Sequence, residues 1–328
     1  MSTMETPATP VDTLGSIGES ATLARIFPRL PAASHELLGP GDDAAVIAAP
    51  DGRFVVTTDM MIHGPDFRLA WSTPHDLGWK AAASNLADVA AMGAVPTALV
   101  VAIAAPADSP VSLLEGIADG LREACEQLAA GCGVVGGDLS VSSTLTIAVT
   151  AFGDLEGRAP VTRAGARVGD VVAVAGVLGA AASGLRVLFE QAVDSDGTPD
   201  ATKAEILRHL ALPQLAPSPP IFAGRQAALA GATAMLDLSD GLALDARRLA
   251  TASGVALDLD SAALGDDPQL ALTGGEDHTL LATFPGAIPS SFRAIGRVVA
   301  GEGVLVDGEP FERRGGWDPY DDWSGAAG

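Results

Sequence analysis

The chain has 328 residues, with 41 acidic against 19 basic side chains and a net charge of −22, a field that repels nucleic acid and anionic membranes. Hydrophobic residues make up 48%, yet the most apolar stretch, VAAMGAVPTALVVAIAAP, is broken by Gly93 and Pro96. It falls short of the roughly 20 uninterrupted apolar residues of a membrane span.

Residues 1–15 are polar, rich in Thr and Pro, and lack the basic and apolar regions of a secretion signal. They read as a disordered leader, with the cytoplasm as the default compartment. A helix is expected at about 18–30, then strands near Ala44 to Ala48 and at RFVVTTD, a helix from Pro74 to Met92 and a strand at ALVVAIAA. Leu113, Leu114, Ile117, Leu121, Cys125 and Leu128 recur at helical spacing within a helix from about Pro110 to Ala130. Strands follow at GVVGG and LTIAVTAFG.

Between that helix and the first of those strands, GCGVVGGDLS carries G-x-G-x-x-G at Gly131, Gly133 and Gly136. A dinucleotide-binding turn needs these glycines after a strand and before a helix. Here they close a helix and enter a strand, so the segment reads as a short strand that delivers Asp138 into a tight turn.

GDLEGRAPVTRAGARVGD, without apolar periodicity, marks a crossing near residue 155. It divides an N-terminal domain at 16–155 from a C-terminal domain at 156–328. The second unit is expected to hold a strand at DVVAVAG, a helix from about Ala181 to Ala192, a loop at DSDGTPD and a helix at about 220–230. A strand at ATAMLDLS, a helix from Leu242 to Ser253 and strands near VALDLD, HTLLATF and AIGRVV complete it. The alternation predicts an α/β protein with mixed sheets in two domains.

Cys125 and Cys132 match neither C-x-x-C nor a zinc spacing, and the five histidines form no metal-binding pair. No Walker motif is present, and only Lys80 and Lys203 are lysines. DSDGTPD lacks the glycine and glutamate positions of a calcium loop. What recurs is an apolar run, then small residues, then aspartate: GPGDDAAV, FVVTTD, VVGGD and AMLDLSDGL, with Asp88 inside NLADVAAMG. Such oxygens suit Mg²⁺, a hard cation that binds through one or two carboxylates plus substrate phosphates. Each turn alone is equally an ordinary turn or helix cap.

Taken in order, GPGDDAAV, VVTTDMMIHGPDF, KAAASNLADVAAMGA, GVVGGDLS, VTRAGARVGD, LDLSDGL, LTGGEDHTLL and GGWD span residues 39–318. As a set they resemble the thiamine-monophosphate kinase family, within the group that includes aminoimidazole ribonucleotide synthetase. The resemblance implies that fold in two domains, dimerising through the N-terminal one. It also implies ATP-dependent phosphorylation of thiamine monophosphate to thiamine diphosphate, with several Mg²⁺ ions. Asp43, Thr57, Thr58, Asp59, Asp88, Asp138, Asp237 and Asp240 look like the family's metal ligands, with Asp59, Asp138 and Asp240 at the catalytic centre. Gly137, Asp138, Arg163 and Ser239 look like its ATP contacts, and Glu276 and Trp317 like its contacts to thiamine monophosphate.

One position departs from the pattern: Asp66 stands where the family commonly has histidine. Either Asp66 serves the usual substrate, accepting from the pyrimidine amino group or pairing with Arg68, or the acceptor is a different one. A phosphate acceptor with a second pKa of about 6 is already anionic, so no general base is expected and transfer would be direct and in line. A non-catalytic protein that binds nucleotide and metal on the same fold is the alternative class. Selenophosphate synthetases carry an N-terminal Cys or selenocysteine and the hydrogenase-maturation relative ends in cysteine, whereas this chain's first cysteine is Cys125 and its last residue Gly328.

Overall fold

In the computed structural model, which describes residues 11–39, 45–313 and 315–316, helix α1 (Leu14–Ile26) starts behind a capping box. The Thr13 hydroxyl accepts the Ser16 N–H and the Ser16 hydroxyl accepts that of Thr13. The helix therefore begins inside the expected leader, because this reciprocal cap satisfies amides that a helix start leaves bare. After a 3-10 turn at Phe27–Arg29 come the short antiparallel strands β1 (Glu36–Leu38) and β2 (Val46–Ile47).

Strand β3 (Val55–Ile62), helix α2 (Pro74–Ala91), strand β4 (Val95–Ala105), helix α3 (Val111–Leu128) and strands β5 (Gly133–Val141) and β6 (Thr146–Asp154) follow. Their four strands form a sheet of order β3-β6-β4-β5, in which only β4 and β5 run parallel. Thr73 and Asp76 cap α2 reciprocally and Pro74 occupies its first turn, where a missing N–H costs nothing. Glycines let α2 and α3 touch through their backbones: a Cβ at Gly78 would collide with the Ile117 carbonyl, and one at Gly120 with that of His75.

Side chains alternate across the sheet. Thr57, Asp59 and Met61 share the helix-covered face with Ile147, Val149 and Leu139, whereas Thr58 and Met60 share the other with Thr150, Ala148, Ala102 and Asp138. On this second face Phe54, Val56 and Met60 are 55%, 53% and 58% exposed, leaving an apolar surface open along an edge strand.

Past residue 155 the chain forms β7 (Val171–Ala175), α4 (Ala180–Gln191), α5 (Ala201–Leu215), α6 (Ile221–Leu229), β8 (Ala234–Leu238) and α7 (Leu242–Ser253). It continues through β9 (Ala256–Leu259), α8 (Pro268–Thr273), β10 (Thr279–Phe284), β11 (Arg293–Val299), β12 (Gly303–Val306) and β13 (Glu309–Pro310). The seven strands make a second sheet of order β13-β12-β9-β11-β7-β10-β8, antiparallel except at β9 and β12. Mixed sheets with helices against them agree with the α/β expectation. Helix α5 was not expected; Asp200 caps it through the amides of Thr202 and Lys203, and Pro213 lies inside it.

One apolar cluster joins Leu77, Leu86 and Val89 of α2 to Ile147 and Val149, and also to Ile221, Met235 and Phe284 of the second half. Gly224 of α6 packs so closely on α2 that a Cβ would strike the Ala90 carbonyl. Helix α2 is thus enclosed from both sides. Among the described residues no helix is long and apolar enough to cross a membrane.

Candidate functional site

Asn85 and Asp88 lie three residues apart on α2 and so project from one side of it. The Asn85 Oδ1 accepts the Asp59 N–H at 3.0 Å, and the Thr57 hydroxyl donates to Asp88 Oδ2 at 2.7 Å. From the second half, β8 carries buried Asp237, and Ser239 and Asp240 lead into α7. The loop before β10 returns alongside: the Glu276 N–H donates to the Ser239 carbonyl at 2.7 Å and the His278 N–H to that of Leu238 at 3.0 Å. Glu276 (φ +70°) and His278 (φ +49°) both occupy the left-handed region, which costs a side-chain-bearing residue free energy and is held only where surroundings enforce it. Between them Asp277 caps α4, accepting the Gly179 and Ala181 amides at 2.5 and 2.8 Å.

Asp59, Asp88, Asp237, Asp240 and Glu276 therefore come within electrostatic reach of one another where the two halves meet. Burial, then the charges of Asp237 and Asp59, push the Asp88 carboxyl up to about 7 against the Thr57 hydrogen bond. Loss of solvation also raises Asp59; His278 opposes this, and Asp237, Glu276 and Asp240 add to it. Burial disfavours the charged form of His278, but its contact with Asp237, Nδ1 to Oδ2 at 3.4 Å, and the charge of Glu276 carry its pKa upward. Asp245 rises to about 6 through burial and Asp240, although Arg248 bridges Asp240 and Asp245 at 2.6 Å each.

A group of carboxylates that suppresses its own ionisation gains from a divalent cation, and its hard oxygens fit Mg²⁺. Among the described residues no three His, Cys, Asp or Glu side chains close around one point. Fewer protein ligands are needed where substrate phosphates complete the shell.

The expected site residues do not all meet. Thr57, Asp59, Asp88 and Asp237 come together, bordered by Ser239, Asp240 and Glu276. Asp43 and Trp317 lie outside the described residues. Thr58 and Asp138 are turned away to the opposite face of the first sheet, where the Thr58 hydroxyl donates to the Val149 carbonyl at 2.9 Å and Ser140 donates to Asp138 at 2.8 Å. Asp138 also lies within β5 and not in a turn after it. Gly136 and Gly137 continue the ladder opposite Val100 and Val101, and at Gly137 a Cβ would occupy the place of the Val101 carbonyl.

Arg163 is exposed; its carbonyl accepts the Ser253 hydroxyl at 2.9 Å, at the end of 12-residue α7 remote from Asp240, roughly 18 Å along the helix. Asp66 accepts the Ile62 N–H at 2.6 Å. It forms no ion pair with Arg68, whose guanidinium stacks 4.6 Å from the Trp71 ring and 4.8 Å from that of Phe189.

Lys80, Asn85, Asp245, Arg248 and His278 belong to the site or brace it and were missed from the sequence. For Lys80 the signal was available: one of two lysines, set in the apolar run KAAASNLADVAAMGA.

This architecture has a known class. Residues 41–155 match the family model described as AIR synthase related protein, N-terminal domain. Over 329 aligned residues the chain is 45% identical to the thiamine-monophosphate kinase of Mycobacterium tuberculosis (strain ATCC 25618 / H37Rv), covering 95% of each. The solved structure of thiamine-monophosphate kinase from Stenotrophomonas maltophilia K279a matches with a TM-score of 0.72 and 31% identity, over 88% of this chain and 95% of that one. AaThiL complexed with AMPPCP and TMP matches with a TM-score of 0.69 and 34% identity, over 80% of this chain and 86% of that one. The chain belongs to the thiamine-monophosphate kinase family.

Proposed function

We propose that the chain transfers the γ-phosphoryl group of ATP to thiamine monophosphate, yielding thiamine diphosphate and ADP in one in-line displacement. The observation that carries this reading is the meeting of Asp59 and Asp88 with the charge of Asp237, which together with burial holds back the ionisation of the first two. The relatives' names, and the AMPPCP and TMP bound in AaThiL, support the substrates. Asp59, Asp88 and Asp237, with Asp240, would hold Mg²⁺. Bound Mg²⁺ would screen donor and acceptor phosphates from each other and from the carboxylates.

The protein's own groups bind and orient. An oxygen of the acceptor phosphate attacks the γ-phosphorus as the bond to the ADP oxygen breaks. That oxygen is anionic at neutral pH, so no side chain need remove a proton. Thr57 and Asn85 fix Asp88 and the Asp59 backbone against α2. Glu276, on its strained loop, and Asp66, on the N-terminal half, are assigned to the acceptor, with Trp317 offering an aromatic face to its cationic ring.

The open apolar face bearing Phe54, Val56 and Met60 supports pairing with a second copy, so the functional unit is a homodimer. Two buried free thiols, Cys125 and Cys132, are in keeping with a cytoplasmic setting.

The test is formation of thiamine diphosphate from thiamine monophosphate, ATP and Mg²⁺, with ADP release measured in parallel. No product above background would return the fold to a nucleotide-binding role or to another acceptor.

A further inference from the structure

Lys80 lies in α2 with 6% of its surface exposed, a burial that lysine rarely tolerates without a partner. Its ammonium forms an ion pair with Glu276 Oε2. The side-chain oxygen of Gln214, with its amide oriented to satisfy both ends, accepts from the same ammonium at 3.1 Å, while the amide nitrogen donates to the Ala181 carbonyl at 3.3 Å. Lys80 also draws down the pKa of the Asp66 carboxyl, which desolvation and Glu276 raise.

The joining of α2 to the second half does not depend on this lysine. One turn earlier, buried Asp76 pairs with Arg208 of α5 through both carboxylate oxygens, and the Trp79 indole N–H donates to the Pro217 carbonyl at 2.6 Å. The Glu276 carboxylate has no such reserve: Lys80 is its one ion-pair partner among the described residues. Without it, a side chain with three rotatable bonds would keep only the charge of His278 against repulsion from Asp59 and Asp66, and turn outward.

We propose that Lys80 is a positioning residue for acceptor binding, holding the Glu276 carboxylate in the orientation that receives thiamine monophosphate. The inference rests on the assignment of Glu276 to the acceptor. Lys80→Met is expected to raise the KM for thiamine monophosphate about tenfold or more, as for a lost hydrogen bond to a charged group, with the KM for ATP within about twofold of the parent. Lys80→Arg restores most of the loss. In the double variant with Glu276→Gln the two effects do not add, because both remove one interaction.

A lysine that only supported the fold would lower the active fraction, and with it kcat, leaving both KM values unchanged. That result in folded Lys80→Met overturns the proposal, provided Glu276→Gln itself raises the KM for thiamine monophosphate. If Glu276→Gln leaves that KM unchanged, the acceptor assignment of Glu276 falls instead. Lys80→Gln, uncharged but able to donate, carries the same comparison if Lys80→Met does not fold.

Discussion

Asp88→Asn is expected to stabilise the metal-free protein at alkaline pH while detaching its stability from Mg²⁺. Asparagine keeps an oxygen for the Thr57 hydroxyl and removes a charge facing Asp59 and Asp237. In the fold the Asp88 carboxyl titrates at about 7, against about 3.9 in an unfolded chain. The folded state therefore holds this proton more tightly. Its contribution to stability is complete below pH 4, falls as pH rises, and is gone above 7. Three pKa units correspond to about 4 kcal/mol, of which neighbouring carboxylates titrating with Asp88 absorb a part. With an unfolding entropy of about 0.7 kcal/mol per kelvin for a chain of this length, 2 to 4 kcal/mol is a shift of roughly 3 to 6 °C. Calorimetry in EDTA should show the variant melting that much above the parent at pH 8, with a smaller gap at pH 5. Added Mg²⁺ should then raise the parent's Tm more than the variant's. A variant that melts lower at pH 8 in EDTA, or gains as much from Mg²⁺, refutes this account of the carboxylates.

Asp59→Asn should lower turnover at least about a hundredfold, as expected for a ligand to a catalytic metal, with no fall in Tm; steady-state kinetics beside a melt separates this from damage to β3. Asp76→Asn should cost about 3–5 kcal/mol in a denaturant titration, the effect of leaving Arg208 unpaired. Burial raises the Asp76 carboxyl, but Arg208 and the bonds from Thr73 outweigh it and the net shift is downward. Its contribution is therefore present above pH 4 and lost as pH falls through the lower folded value, and the variant should lack that acid limb. Gly137→Ala should destabilise by about 1–3 kcal/mol, the cost of overpacking, because its methyl group meets the Val101 carbonyl; a Tm equal to the parent's would contradict the close approach of β4 and β5.

Local chemistry made much of this molecule legible. Thr73, Pro74 and Asp76 announce the start of α2, and the predicted span Leu242 to Ser253 coincides with α7 because glycines flank both ends. Helix α5 escaped because its apolar residues form no single stripe and it contains Pro213. Gly136 and Gly137 read as a turn, since glycine weakens a strand unless another backbone must come close, and that approach, at Gly137 against the Val101 carbonyl, belongs to β4. The chemistry of the carboxylates was visible from their residue types and family pattern. That Asp138 falls on the face opposite Asp59 was not: it depends on register, which is a property of pairs of strands. Lys80 and His278 acquire their roles only when loop and helix from different halves meet.

Helix α2 also bears on how the chain can be divided. The Leu77, Leu86 and Val89 cluster extends into the second half, and Gly224 rests on the α2 backbone. Scission near residue 155 would thus leave each fragment with a bare apolar flank shaped for the other. Such pieces would be incomplete apart, and activity regained only on mixing them is the outcome expected of this shared helix.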